Sequence, residues 1–135
     1  MPRLSVLALS ARLPGWAEEA CADYARRMPK GYEVSRVMVK DEKRLSGALP
    51  KGASMIALDE RGRDYTTRQF AELLKSEAAF VIGGPDGLSA QVKAQAALLL
   101  RVSSFTLPHA LAQVILLEQI YRAASLLIGH PYHRE

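Results

Sequence analysis

A single cysteine, Cys21, among 135 residues closes several routes at once. No internal disulfide can form, and no cysteine-based zinc site can be assembled. The three histidines, His109, His130 and His133, lack the paired spacing of a structural metal centre, so no metal is expected. No uncharged run reaches the roughly 18 residues that span a hydrocarbon core, and no cationic start leads into an apolar signal segment. The expectation is a cytoplasmic protein without membrane attachment. The phosphate fingerprints G-x-x-x-x-G-K-S/T and G-x-G-x-x-G are also missing, which disfavours nucleoside triphosphates and NAD. A G-x-S-x-G elbow is absent, although the residue types of a Ser-His-Asp triad are present.

What remains is an ordinary globular composition, 49% hydrophobic and 24% charged, of a length that suits one domain with one core. A net charge of +4 and a pI near 9.4 suit a polyanionic partner without requiring one. Cys21 lies among Ala17, Ala20, Tyr24 and Ala25 on a helical apolar stripe. It reads as a small buried hydrophobe before it reads as a reactive thiol.

The abrupt feature is Phe80-Val81-Ile82-Gly83-Gly84-Pro85-Asp86-Gly87-Leu88, an apolar run that breaks into three glycines and a proline before Ser89 opens an alanine-rich segment. Strand, glycine loop and helix in succession mark a ligand position in open α/β sheets, yet tight turns that bind nothing use the same residues.

Around this loop, strands are expected at 4–9, 32–39, 54–58, 79–82 and 102–107, the near-continuous apolar runs implying strands covered on both faces. Helices are expected at 16–28, from Thr66 to about Ala78 behind a Thr66/Gln69 capping box, from Ala90 to about Leu100, and from Pro108 to a stop at Gly129. The connection from Lys40 to Gly52 is basic and should hold little or no helix; it is a solvated loop or an RNA contact. Alternation of strands and helices predicts an α/β fold with a mostly parallel sheet and helices on both faces. A ligand crevice then lies outside the carboxyl ends of the strands, where Asp59, Gly83 to Gly87 and Pro108-His109 converge. His109 either lines that site or caps the following helix. The final residues, from His130 to Glu135, combine two histidines, a tyrosine and an arginine, groups that handle protons, stack on bases and hold phosphates.

Four segments together carry a resemblance: Phe80 to Ser89, Thr106-Leu107-Pro108-His109, Tyr121-Arg122-Ala123, and His130-Pro131-Tyr132-His133-Arg134-Glu135. In this order they resemble the large-subunit rRNA methyltransferase H family, of the SPOUT class. The likeness is dense in the C-terminal half and looser around Pro14, Trp16 and the Tyr24, Arg26, Arg27, Pro29 cluster. It implies a C-terminal trefoil knot, a homodimer, and S-adenosylmethionine-dependent methylation of N3 of a pseudouridine in large-subunit (23S) rRNA on the assembled ribosome. It further implies a cofactor wall of Leu58, Gly83, Gly84, Val102, Ser103, Ser104, Phe105, Thr106 and Leu107. His109 and Arg134 would bind substrate, and His130, Tyr132, His133 and Arg134 would serve catalysis. The segment from Lys40 to Ala53 is shorter than the longer basic loop and helix that relatives carry there. Two other readings stand beside this one: a non-catalytic ribosome- or RNA-binding module, and a flavodoxin-like nucleotide or flavin binder.

Overall fold

The computed structural model describes residues 2–9 and 12–134. Five strands, β1 (Leu4–Leu9), β2 (Val34–Val39), β3 (Ser54–Asp64), β4 (Ala78–Ile82) and β5 (Leu98–Arg101), form one sheet in the order β2-β1-β4-β3-β5. Every ladder is parallel. The helices are α1 (Gly15–Arg26), α2 (Leu45–Ala48), α3 (Thr67–Leu73), α4 (Ala90–Gln95) and α5 (His109–Leu127), with a 3-10 turn over Glu42–Arg44.

Side chains alternate across a strand, and here both sets are apolar because both faces are covered. Leu4, Val6, Ile56, Phe80, Ile82 and Leu100 face α1, α3 and α5, packing on Cys21, Phe70, Leu74, Leu116, Leu117 and Ile120. Leu7, Leu9, Met55, Ala57, Ala79 and Val81 face the other way, onto Leu45, Leu88 and Val92. Cys21 is fully buried, and burial pushes its thiol upward, so it acts as core. By length and composition α5 could cross a membrane, but half of it is buried, and it packs against both α1 and α3.

Besides shifts of one or two residues, as at the start of β2 and the end of α1, four boundaries differ from the sequence expectation. The fifth strand is Leu98–Arg101, not 102–107, and α4 stops at Gln95. Helix-forming Ala and Leu at 96–100 are overridden by parallel pairing of Leu98, Leu99 and Leu100 with Ile56, Ala57 and Leu58. β3 continues to Asp64, because after Leu58 the chain bulges and Arg63 returns to pair with the same Leu100. Gly62 permits that return: a Cβ there would lie 2.7 Å from the Leu99 carbonyl. The capping box forms as expected, with Thr66 accepting from the Gln69 amide and Gln69 from the Thr66 amide, but α3 ends at Leu73. Between β2 and β3 the basic connection is anchored rather than loose. Leu45 is buried, and the Glu42 carboxylate accepts from the Ser89 amide at 2.9 Å and hydroxyl at 2.6 Å.

Candidate active site

The bulge of β3 and the carboxyl ends of β4 and β5 open onto one cleft of about 590 Å³, counting its mouth. Its walls bring Asp59, Gly83, Gly87 and His109 together, so the three positions picked out in the sequence do converge, although Asp59 lies in the bulge of β3 and His109 at the start of α5 and not in strand-end loops. Leu58, Val102, Ser103, Phe105, Thr106 and Leu107 line it as well; Gly84 and Ser104 do not. A larger hollow of about 1130 Å³ lies between residues 41–49 and 91–95, but no strand end or glycine loop reaches it.

The loop after β4 is built by its own backbone. The Gly87 amide donates to the Gly84 carbonyl at 2.9 Å, and the two residues form an isolated bridge. Gly87 has φ 75, the left-handed conformation glycine tolerates. A Cβ on Gly83 would meet the Gly87 carbonyl carbon at 2.6 Å. Gly83 is thus required by the closure of the turn itself, not only by room for a ligand. Ser89 accepts from the Val92 amide and so caps α4.

Opposite this loop stands the first turn of α5. Pro108 precedes it without a side-chain cap, and the first amides of any helix lack intrahelical acceptors. His109 is the first residue of that helix, and its Nε2 is buried without a partner. A buried, unpaired ring nitrogen beside a cleft is a costly arrangement unless something polar enters. Asp59 adds a carboxylate, 12% exposed and held by Lys93 Nζ at 3.1 Å. Mostly apolar walls with a few convergent polar groups and exposed backbone are what a small amphiphilic ligand needs. Such a lining fits the cofactor that the resemblance implies: Leu58, Ile82, Val102 and Leu107 would face its adenine, and Asp59, Thr106 and His109 would face its polar groups.

The C-terminal tail sits elsewhere. Gly129, at φ 78, turns the chain, and the His130 amide donates to the Ser125 carbonyl at 2.9 Å. Tyr132 OH donates to Glu118 Oε2 at 2.9 Å, and Arg122 Nη1 lies 3.3 Å from His133 Nδ1. Tyr132 also meets Tyr121 edge-on with centroids 4.6 Å apart. His130 and Arg134 are exposed; Glu135, which closes the tail motif, lies outside the described residues. Glu118 stands nine residues along α5 from His109, on the order of 13 Å at 1.5 Å rise per residue. Within one chain the tail is therefore not brought to the cleft. Burial alone would raise the Glu118 carboxyl, but hydrogen bonds from Arg122, Tyr132 and Gln119 outweigh it and hold the group below its usual value. Burial, then the bond to Glu118, pushes the Tyr132 phenol upward, so it stays a donor.

Sequence reasoning passed over Glu118, Gln119 and Arg122 as site residues, although Glu118 and Arg122 stand at the i, i+4 spacing that pairs charges on one helix face. Among the described residues no group of three or more His, Cys, Asp or Glu is placed to hold a metal ion.

Comparison with known proteins agrees with this architecture. The family profile described as "Predicted SPOUT methyltransferase" matches residues 3–133. Ribosomal RNA large subunit methyltransferase H of Burkholderia multivorans is 44% identical over 154 aligned residues, covering 98% of this chain and 99% of that protein. The enzyme of the same name from Laribacter hongkongensis is 43% identical over 155, with the same coverage. Alignments longer than this 135-residue chain place gaps on its side, in keeping with its trimmed connections. Among solved structures, the SpoU methyltransferase AviRb from Streptomyces viridochromogenes, in complex with AdoMet, superposes with a TM-score of 0.63 at 15% identity, over 95% of this chain and 59% of that one. The A. aeolicus TrmH/SpoU tRNA modifying enzyme gives 0.64 at 14%, over 100% and 83%. These two share the fold. With a family profile matched almost end to end and near-full-length relatives above 40% identity, the chain belongs to the ribosomal RNA large subunit methyltransferase H family of SPOUT methyltransferases.

Proposed function

We propose that the protein uses S-adenosylmethionine to methylate N3 of a pseudouridine in large-subunit (23S) rRNA, on the assembled ribosome, as a cytoplasmic homodimer. The observation that carries the reading is the cleft where Asp59, the Gly83–Gly87 turn and the unpaired His109 Nε2 meet, in a chain of this family. The knot implied by the resemblance belongs to the same reading. It is supported by the path of the chain from central β4 to edge strand β5 and back as α5 between α1 and α3.

S-adenosylmethionine supplies a sulfonium methyl: the N3–C bond forms as the C–S bond breaks, leaving a neutral thioether. Pseudouridine N3 carries a proton, so the chain must take that proton or stabilise the anion while holding the base in line. The tail is suited to this work. Tyr132 positions the base, Arg134 holds phosphate or anion, and proton handling falls to His130, His133 or water held by them.

In this reading a second copy's tail supplies what the first chain's cleft lacks, and the separation of the two halves along α5 supports it. Exposed apolar residues support this arrangement, since Trp16 is 56% and Met38 60% exposed, and large exposed apolar side chains mark contact surfaces. Methyl incorporation from labelled cofactor into ribosomes lacking the modification, with the methylated position mapped, is the test. Absence of transfer together with absence of cofactor binding would favour the non-catalytic RNA-binding reading.

A further inference from the structure

We propose that Arg122, braced by Glu118, is a positioning residue of the methyl-transfer site that keeps the His133 ring proton on Nε2, so that His133 serves as a hydrogen-bond donor and not as the base. The inference rests on the functional reading above and narrows it.

The argument is one of donor counting. A guanidinium offers five N–H donors, has no acceptor, and stays charged at any physiological pH. Its contact with His133 Nδ1, at 3.3 Å from Arg122 Nη1, is attractive only where Nδ1 presents a lone pair. A neutral imidazole with a bare Nδ1 carries its hydrogen on Nε2. That nitrogen cannot accept the N3 proton.

The orientation of Arg122 is not accidental. Its Nε and Nη2 edges are occupied by Glu118 Oε2, at 3.1 and 2.7 Å, which turns Nη1 toward the histidine. Its guanidinium carbon lies 4.7 Å from the centroid of the Tyr132 ring. The same Glu118 oxygen takes the Tyr132 hydroxyl. One i, i+4 pair on α5 therefore sets both the position of the tyrosine and the tautomer of the histidine. Behind it, Arg27 lies over the rings of Tyr24 and Tyr121 at 5.3 and 5.0 Å, and Tyr121 backs Tyr132. Removing a proton from N3 of a uracil ring places negative charge on the flanking carbonyl oxygens. An Nε2–H held toward them stabilises the anion, while His130 or water takes the proton.

Nitrogen-15 NMR of the full-length protein reads the tautomer directly. The expected result is His133 with an unprotonated Nδ1 and a protonated Nε2. Arg122→Met should mix the two tautomers and, by leaving only part of the histidine with hydrogen on Nε2, lower kcat on ribosomes about two- to fivefold. Its KM for ribosomes and its affinity for S-adenosylmethionine should stay within about twofold, because an anion-stabilising bond acts mainly in the transition state. Arg122→Lys, which still donates, should restore most of the rate and the tautomer; a merely structural brace would be rescued without any tautomer change in Arg122→Met. A wild-type spectrum with Nδ1 protonated overturns the proposal even if Arg122→Met fails to fold, and so does unchanged kcat in a folded Arg122→Met. Failure of the functional reading would look different: no transfer by the wild type, whatever the spectrum.

Discussion

Gly83 and Gly87 touch through their backbones: a Cβ on Gly83 would come within 2.6 Å of the Gly87 carbonyl carbon and 2.8 Å of its oxygen. Backbone cannot move aside as a flexible side-chain tip can. Gly83→Ala should therefore open the turn, costing about 1–3 kcal/mol, and weaken S-adenosylmethionine binding at least about tenfold by calorimetry. Gly87→Ala meets open space and suffers only from its positive φ, so it should cost about 1 kcal/mol and spare more of the affinity. Equal binding by both variants would disconnect the turn from the cofactor.

Phe105 lines the cleft yet is 81% exposed, and its amide is pinned by Ser103 Oγ at 2.9 Å. The fold gains almost nothing from that ring. Phe105→Ala should leave stability within about 0.5 kcal/mol of wild type and, because so exposed a ring adds little to the cofactor wall the resemblance drew through it, cofactor affinity within about threefold. If the ring stacks on an rRNA base, KM for ribosomes should rise about tenfold, the equivalent of roughly 1.4 kcal/mol. A KM equal to wild type would remove Phe105 from substrate contact.

Thr66→Ala removes one half of the capping box on α3, whose Phe70 and Ala71 are buried in the main core. A loss of about 1 kcal/mol and a fall in Tm of about 3–4 °C are expected by calorimetry. No change would mean the helix is held by packing alone.

Glu118 links stability to pH. Its folded pKa lies below the usual glutamate value of 4.5, so the folded state favours the carboxylate. That stabilising contribution is complete above about pH 4.5 and is lost as pH falls through the lower folded value. Glu118→Gln keeps an acceptor for Tyr132 but cannot titrate. Its Tm should therefore lie below wild type at pH 6 and converge with it toward pH 3. Parallel Tm curves across that range would show that Glu118 is not the linked group.

Much of the scaffold could be read in advance because its signals are local. Val6 to Leu9 and Phe80 to Ile82 are apolar on both strand faces, Thr66 and Gln69 meet three residues apart, and Gly129 ends the long helix. Residues 96–107 could not be read so. Leu98 to Leu100 have the composition of a helix and become a strand only because β3 offers a parallel edge, which pushes 102–107 out as the loop that lines the cleft. The site divides the same way. Types and order of residues marked Gly83, His109 and the tail, and the family likeness gave them roles. Their distances depend on chain path.

The sequence by itself determined the alternation of strands and helices, the glycine turn, and the family, since each is written in neighbouring residues or in an ordered series of short motifs. Only the tertiary structure decided that Gly83 answers to Gly87, that the tail is clasped by Glu118 and Arg122 on the far half of α5, and that cleft and tail stand apart within one chain. Those relations are set by the path of the backbone and by packing in three dimensions, even where the partners are only four residues apart, and residue type alone does not encode them.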